Sequence, residues 1–478
     1  MMTTTVAWLA LLCLTGCASY TDRVKDAQRA VVSGHPERAV ELLNEELDTD
    51  SVEELPTNFD GERALLLLER ATLLQAMGDY RTASRDMILV DDRMEWVDLQ
   101  SGSAASVLRF LYSDDVGVYR PPPHERLLLH TMNLINFMAA GELSSARVEA
   151  RRFHILQDYF LDEESRKVLP VILGLGNYLA GAAFEASHDY DEAVRFYTRA
   201  HLYGTWPETD DSRLLDLLAL TDYKGFDLGD LQGRADMLID RAKSRERPDR
   251  RTYQQRHQTG DTLVVVQTGL VPYRRAERVP LVTALQYSSR SGYSGVYLST
   301  SDRNQAMHLY RRGVVTWINA PVLTKQGLPP RRTVTLEVNS RSMRLTHPIS
   351  ISDQVEKGWE VIGATAMAAA ISRAVTRAVA GESTRMVTDA VAQQQGATVL
   401  VAGVLSWLIS FAVEGSMAAA DTPDTRSWTS LPADVHLVRM KLPAGSHQLD
   451  IKHGGRTDTR QLEVESNRFQ LVNFSRLR

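Results

Sequence analysis

The chain has 478 residues, a formal net charge of −6 and 24% charged side chains. That balance supplies no basic field to collect phosphate, which argues against nucleic acid as a partner. Both cysteines, Cys13 and Cys17, lie at the start, so the remainder holds no thiol for disulfides, cysteine–zinc sites or cysteine nucleophiles.

The first element is an apolar run from Val6 that ends in Leu14-Thr15-Gly16-Cys17. It is shorter than the ~20 apolar residues a spanning helix needs, and small residues before a cysteine read as a processing site. The tetrapeptide resembles a bacterial lipobox, which implies a signal peptide over 1–16 and an acylated Cys17 opening the mature chain. The segment from Met1 to Thr5 departs from that pattern in having no Lys or Arg, and the alternatives are an ordinary secretory signal or a buried N-terminal helix with two chance cysteines. Two or three acyl chains on one residue anchor durably, whereas a single chain binds reversibly. Membrane lipid is therefore the first expected partner. Ala18 and Ser19 follow the cysteine in place of the aspartate that retains Gram-negative lipoproteins at the inner membrane. By resemblance, the protein is expected at the outer membrane, facing the periplasm.

Residues 17–240 are expected to form paired amphipathic helices. Four junctions share one spacing, in which a turn residue is followed five positions later by alanine: Gly34 and Ala39, Gly78 and Ala83, Gly141 and Ala146, His188 and Ala193. The turn residue closes one helix, and the alanine lets the next approach it closely. Gly78-Asp79-Tyr80 and Asp189-Tyr190 also carry the aromatic of a tetratricopeptide junction, which these helix pairs resemble. The intervals between junctions are irregular, where the regular repeat gives about 34 residues, and a plain helical bundle uses the same turn chemistry. Glu149, Arg151 and Arg152 lie on the second helix of the third junction. They form either solvated pairs or part of a concave partner-binding face.

The basic stretch 241–260 reads as a linker, or as a patch for anionic headgroups. Beyond it the period changes to that of strands, at Thr262–Gln267, Val334–Val338, Met343–Leu345, Val435–Met440, Gln448–Ile451, Gln461–Val464 and Phe469–Val472. Pro443 and Gly445, in the short link between two of these runs, predict a hairpin. The strands divide into a β-rich module of two parts, 261–350 and 416–478, resembling the β-sandwiches common at the ends of exported chains. Between them, 351–415 is expected to form a helical hairpin, with an Ala-rich arm from Trp359 to Ala380 and an uncharged arm from Ala397 to Val413. The uncharged arm is too short for a comfortable span, since its rise is about 25 Å against a hydrocarbon core of about 30 Å. Burial is the favoured reading, and membrane contact or burial against a partner the alternatives.

The chain resembles a family of bacterial lipoproteins with tetratricopeptide-like repeats and no assigned activity. The resemblance rests on the helices from His124 to Phe160, the Ala-rich segment after Trp359, and Asp424-Thr425-Arg426-Ser427-Trp428 followed by Pro443-Ala444-Gly445-Ser446-His447. It suggests an envelope role and carries over no established activity. Asp424, Arg426 and Trp428 either hold a loop by an ion pair and a buried ring or form a recognition edge, as Trp and Arg are enriched at interface hot spots.

No HExxH, P-loop, GxSxG or SxxK motif occurs, so no catalytic, metal or cofactor residue is assigned. The expected fold class is α+β: a tetratricopeptide-like helical array followed by a β-sandwich-like module that the Ala-rich helical pair interrupts. The expected function is a non-enzymatic, lipid-anchored envelope scaffold that binds a protein or peptide. An enzyme or enzyme activator working on peptidoglycan or another envelope glycan is the alternative.

Overall fold

The computed structural model describes residues 19–477 except 60, 94–118, 120, 161–168, 208–211, 222, 226–230, 258–259, 290–297, 325–332 and 395–422. Cys17 and the uncharged segment from Ala397 to Val413 lie outside the described residues.

The fold is mixed α+β, with helices in the first half and most strands in the second. Eight helices form four antiparallel hairpins: α1 (Tyr20–Ser33) with α2 (Pro36–Leu47), α3 (Arg63–Met77) with α4 (Tyr80–Arg93), α5 (Pro123–Ala139) with α6 (Leu143–Phe160), and α7 (Pro170–Ala186) with α8 (Tyr190–Leu202). The junctions fall where the sequence spacing puts them. Gly34, Gly78, Gly141 and His188 all take positive φ, the left-handed turn that stops a helix. Ala39, Ala83, Ala146 and Ala193 are fully buried, so each sits where the paired helices meet. Successive hairpins stack through α2 on α3, α4 on α5, and α7 on both α5 and α6.

Three further helices follow: α9 (Arg213–Leu220), α10 (Gln232–Lys243) and α11 (Arg250–His257). Part of the stretch expected as a linker is thus helical and folded into the core. Tyr253 of α11 is buried and donates its hydroxyl to Glu185 at the end of α7.

The strands make two four-stranded sheets and a ribbon. In the first sheet β1 (Asp261–Leu270) lies between β10 (Phe469–Arg476), parallel to it, and β7 (Pro432–Lys441), antiparallel; the short β6 (Ile349–Ser350) edges β7. The second sheet has the order β5 (Arg341–Leu345), β4 (Val334–Val338), β8 (Gly445–His453), β9 (Arg456–Val464). β2 (Arg274–Pro280) and β3 (Trp317–Leu323) form the ribbon.

β1 is buried on both faces because side chains alternate along a strand. Leu263 and Val265 join the helical core, while Val264 and Val266 pack with Leu336 of β4 and Ile451 of β8. The first sheet therefore lies between the helices and the second sheet.

The hairpin expected across Pro443 and Gly445 does not form. β7 pairs within the first sheet and β8 within the second, so the link crosses between sheets. Leu442 donates its N–H to Gly260 O, and a Cβ on Gly260 (φ 61) would lie 1.7 Å from Leu442 O. That contact occupies the backbone which a hairpin would have turned toward β8.

The Ala-rich arm runs on as one helix, α14 (Ile351–Gln394). Its buried residues Met367, Ala370, Ile371 and Val375 pack against α12 (Leu281–Ser288), α13 (Thr300–Arg311) and the ribbon, forming a separate small core. Among the described residues, no helix is long and apolar enough to cross a membrane.

Candidate functional site

The loop before β7 threads into the helical hairpins. Trp428 is 1% exposed, and its Nε1 donates to Thr72 Oγ1 of α3 at 2.9 Å. Its backbone N–H donates to Glu125 Oε1 of α5 at 3.0 Å. Glu69 of α3 receives the Thr429 N–H at 2.7 Å, the Thr429 hydroxyl at 2.8 Å and the Tyr20 hydroxyl at 2.9 Å on Oε1; the Ser430 N–H reaches Oε2 at 2.7 Å. Tyr119 donates its hydroxyl to the second oxygen of Glu125. Helical carboxylates thus satisfy the backbone donors of the turn at Trp428 to Ser430, which no strand pairs. Burial pushes the Glu125 carboxyl up to about 7 despite its bonds from Tyr119 and Trp428, and raises that of Glu69 as well.

Asp424 and Arg426 hold the entrance of this loop. The Arg426 Nε lies 2.9 Å from Asp424 Oδ1, and the guanidinium carbon is 5.9 Å from the Tyr119 ring centre. Asp424, Arg426 and Trp428 are therefore an internal clamp. The recognition-edge reading fails for Trp428, since a ring enclosed by α3 and α5 presents no surface to a partner.

A second buried cluster ties the helices to the first sheet. Arg213 of α9 and Arg439 of β7 share two carboxylates, Glu185 and Asp261 of β1. Arg213 NH1 lies 2.6 Å from Glu185 Oε1 and 3.2 Å from Asp261 Oδ2. Arg439 NH1 lies 3.0 Å from Glu185 Oε2, and its Nε donates to Asp261 Oδ1 at 3.0 Å. Tyr197 donates to Glu185 Oε2 at 2.8 Å. Burial alone would raise the Glu185 carboxyl, but Arg213 and then Arg439 hold it well below the usual carboxylate range. The cluster floors a cavity of about 510 Å³ whose rim carries His188 and the β9–β10 loop with Glu465 and Arg468. Paired arginines and carboxylates of this kind lock elements together, and Glu185 is not poised to take a proton near neutral pH.

Glu149 is buried too, with Oε1 2.6 Å from His130 Nδ1, so it presents nothing to a partner. Arg152 is half-buried beside Asp91, 3.3 Å away. Arg151 is exposed, its guanidinium carbon 5.4 Å from the Phe184 ring centre. It belongs to a stripe along α6, Ser144, Val148, Arg151, Ile155 and Asp158, that faces solvent. Val148 is 52% and Ile155 61% exposed. The six candidate residues therefore separate into Glu149, buried against His130, Arg152, half-buried beside Asp91, the clamp of Asp424, Arg426 and Trp428, and Arg151 on an open helix face.

Glu69, Glu125, Glu185, Arg213 and Asp261 were not singled out in the sequence. The available signal was a charge set among apolar residues, as in Leu68-Glu69-Arg70-Ala71. Among the described residues, no group of three or more His, Cys, Asp or Glu side chains is arranged to hold a metal ion. No protein family, curated protein or solved structure matches the chain.

Proposed function

We propose that this chain is a lipid-anchored cell-envelope scaffold that binds another protein through its helical repeats, without a catalytic step. In this reading the four hairpins are a divergent tetratricopeptide-like array, and the two four-stranded sheets a sandwich-like module that fixes one side of it. The lipobox-like Leu14 to Cys17 supports the anchor, and the junction turns with their buried alanines support the repeats. The observation that carries the binding role is the open stripe on α6, where Val148 and Ile155 stand more than half exposed in line with Arg151. Aliphatic side chains in a row on a packed helix are what a partner surface would cover.

Two measurements test this reading. Wild-type protein should incorporate an alkyne fatty acid and Cys17→Ala should not; absence of label from the wild type would remove the anchor. A photocrosslinking amino acid at position 155 should give a light-dependent protein adduct in intact cells. Absence of any adduct there would remove α6 as a binding face.

A further inference from the structure

We infer that the face formed by α6 and α8 docks an acidic amphipathic helix, whose apolar residues seat on Val148 and Ile155 and whose carboxylates meet Arg147, Arg151 and Arg199. The inference rests on the scaffold reading and names the chemistry of its partner.

Three observations converge on this face. The first is spacing. Val148 and Ile155 are two helical turns apart, about 10 Å along the axis. That is the interval at which a second helix alongside presents successive apolar side chains in one seam. Both are aliphatic and more than half exposed.

The second observation is charge. Arg151 stands in the stripe and Arg147 one turn before it on α6, while α8, whose Phe196 ring lies 5.6 Å from that of His154, contributes Arg195 and Arg199. Arg195 is held by Glu192 at 2.8 Å, and Asp158 lies 3.5 Å from His154 Nδ1. Arg147, Arg151 and Arg199 have no carboxylate partner among the described residues; Arg151 has only the Phe184 ring, and the buried Arg147 Nε no hydrogen-bond partner. The surplus is felt locally. The His154 imidazole is held below its ordinary value by burial first and by Arg199 next, with Arg195 adding to the effect against Asp158 and Glu192. Acidic side chains would complement this field and set the orientation of docking.

The third is composition. Neither helix carries a lysine or tryptophan, and the apolar strip is one residue wide. Surfaces that lie on lipid headgroups set Lys, Arg and Trp around a broad apolar face, which a strip one residue wide does not supply. A helix fits the strip and a bilayer does not.

The test uses the full mature chain in nonionic detergent and two labelled helical peptides of about three heptads. One carries leucine in the seam positions with glutamate beside them, and the other has lysine in place of glutamate. Fluorescence anisotropy should show about tenfold preference for the glutamate peptide, weakening as salt is raised. Arg151→Glu with Arg199→Glu should invert that preference. Arg151→Glu alone, at an exposed position, should melt as the wild type does and lose most of the preference. Equal binding of both peptides, binding of neither, or a preference indifferent to the charge reversals would overturn the inference. So would stronger capture of the Cys17→Ala chain by phosphatidylglycerol vesicles than by the glutamate peptide. A protein adduct at position 155 with no preference for the glutamate peptide would overturn the acidic helix alone; the scaffold reading falls only if that adduct is absent.

Discussion

The Trp428 indole donates to the Thr72 hydroxyl at 2.9 Å, joining the loop before β7 to the middle of α3 across 356 residues of sequence. The ring and the hydroxyl are both buried, and Thr72 in turn donates to Leu68 O at 2.9 Å. Thr72→Val keeps the shape of the site and leaves an indole N–H unpaired, which costs about 1–3 kcal/mol. Trp428→Ala adds a cavity and should cost about 3–5 kcal/mol. Urea unfolding of the two variants measures both. A Trp428→Ala chain as stable as the wild type would show that the loop does not secure the fold.

Glu125 gives the clamp a pH dependence of defined sign. Its folded carboxyl titrates near 7, above an ordinary value of 4.5, so the folded state holds its proton more tightly than the unfolded chain does. The resulting stability is fully present below about pH 4.5 and is lost as pH rises toward about 7, with an upper limit near 3 kcal/mol. Glu125→Gln retains an acceptor for the Trp428 N–H and has no proton to lose. Its midpoint of unfolding should therefore fall less than that of the wild type between pH 5 and pH 8. Parallel profiles for the two chains would show that Glu125 does not titrate in this window.

The hairpins were legible in the sequence because their determinants are local. A residue tolerating positive φ and an alanine five positions on fix each junction within one turn, whatever lies elsewhere. β1 was legible as a β-branched run, but not its partners. The supposed hairpin at Pro443 shows why: a Pro and a Gly between strands mark a chain reversal, but the partners come from remote segments, β1 for β7 and β4 for β8. The site was legible in the same measure. An ion pair with a buried ring is one of the two readings open in the sequence for Asp424, Arg426 and Trp428. The two readings shared by Glu149, Arg151 and Arg152, solvated pairs or a partner face, do not separate the exposed Arg151 from the Glu149 that pairs with His130 in the interior. Glu69 and Arg70 interrupt an apolar run and so announce buried charge, but their partners come from remote segments, Thr429 and Ser430 for one and Asp86 for the other.

Arg439 offers a sharper disruption than any surface change. It is bonded to both Asp261 and Glu185, and all three are buried. Arg439→Met leaves Arg213 to neutralise two carboxylates, and an uncompensated buried charge of this kind costs about 3–5 kcal/mol. Because the cluster joins α7 and α9 to β1 and β7, its loss should lower stability at neutral pH and let the Glu185 carboxyl, now held low by Arg213 and Arg439, take up a proton more readily. The wild type should then exceed the variant most at pH 7 and least in acid. A constant difference across that range would mean that the cost is packing, not charge.

The helix α6 separates folding from binding along its own length. Ala146 is fully buried against its partner helix, and overpacking such a contact costs about 1–3 kcal/mol, so Ala146→Leu should lower the melting temperature. Arg151 stands on the opposite, open face, where a substitution usually changes stability by no more than about 0.5 kcal/mol. Arg152 is intermediate, because reversing its charge would place a carboxylate beside Asp91, 3.3 Å from the present guanidinium. Calorimetry should therefore rank Ala146→Leu and Arg152→Glu below wild type and Arg151→Glu level with it. The adduct formed at position 155 should respond differently, surviving in Arg152→Glu and falling in Arg151→Glu. Should Arg151→Glu melt early, the guanidinium above the Phe184 ring is a structural contact and the open face loses its central residue.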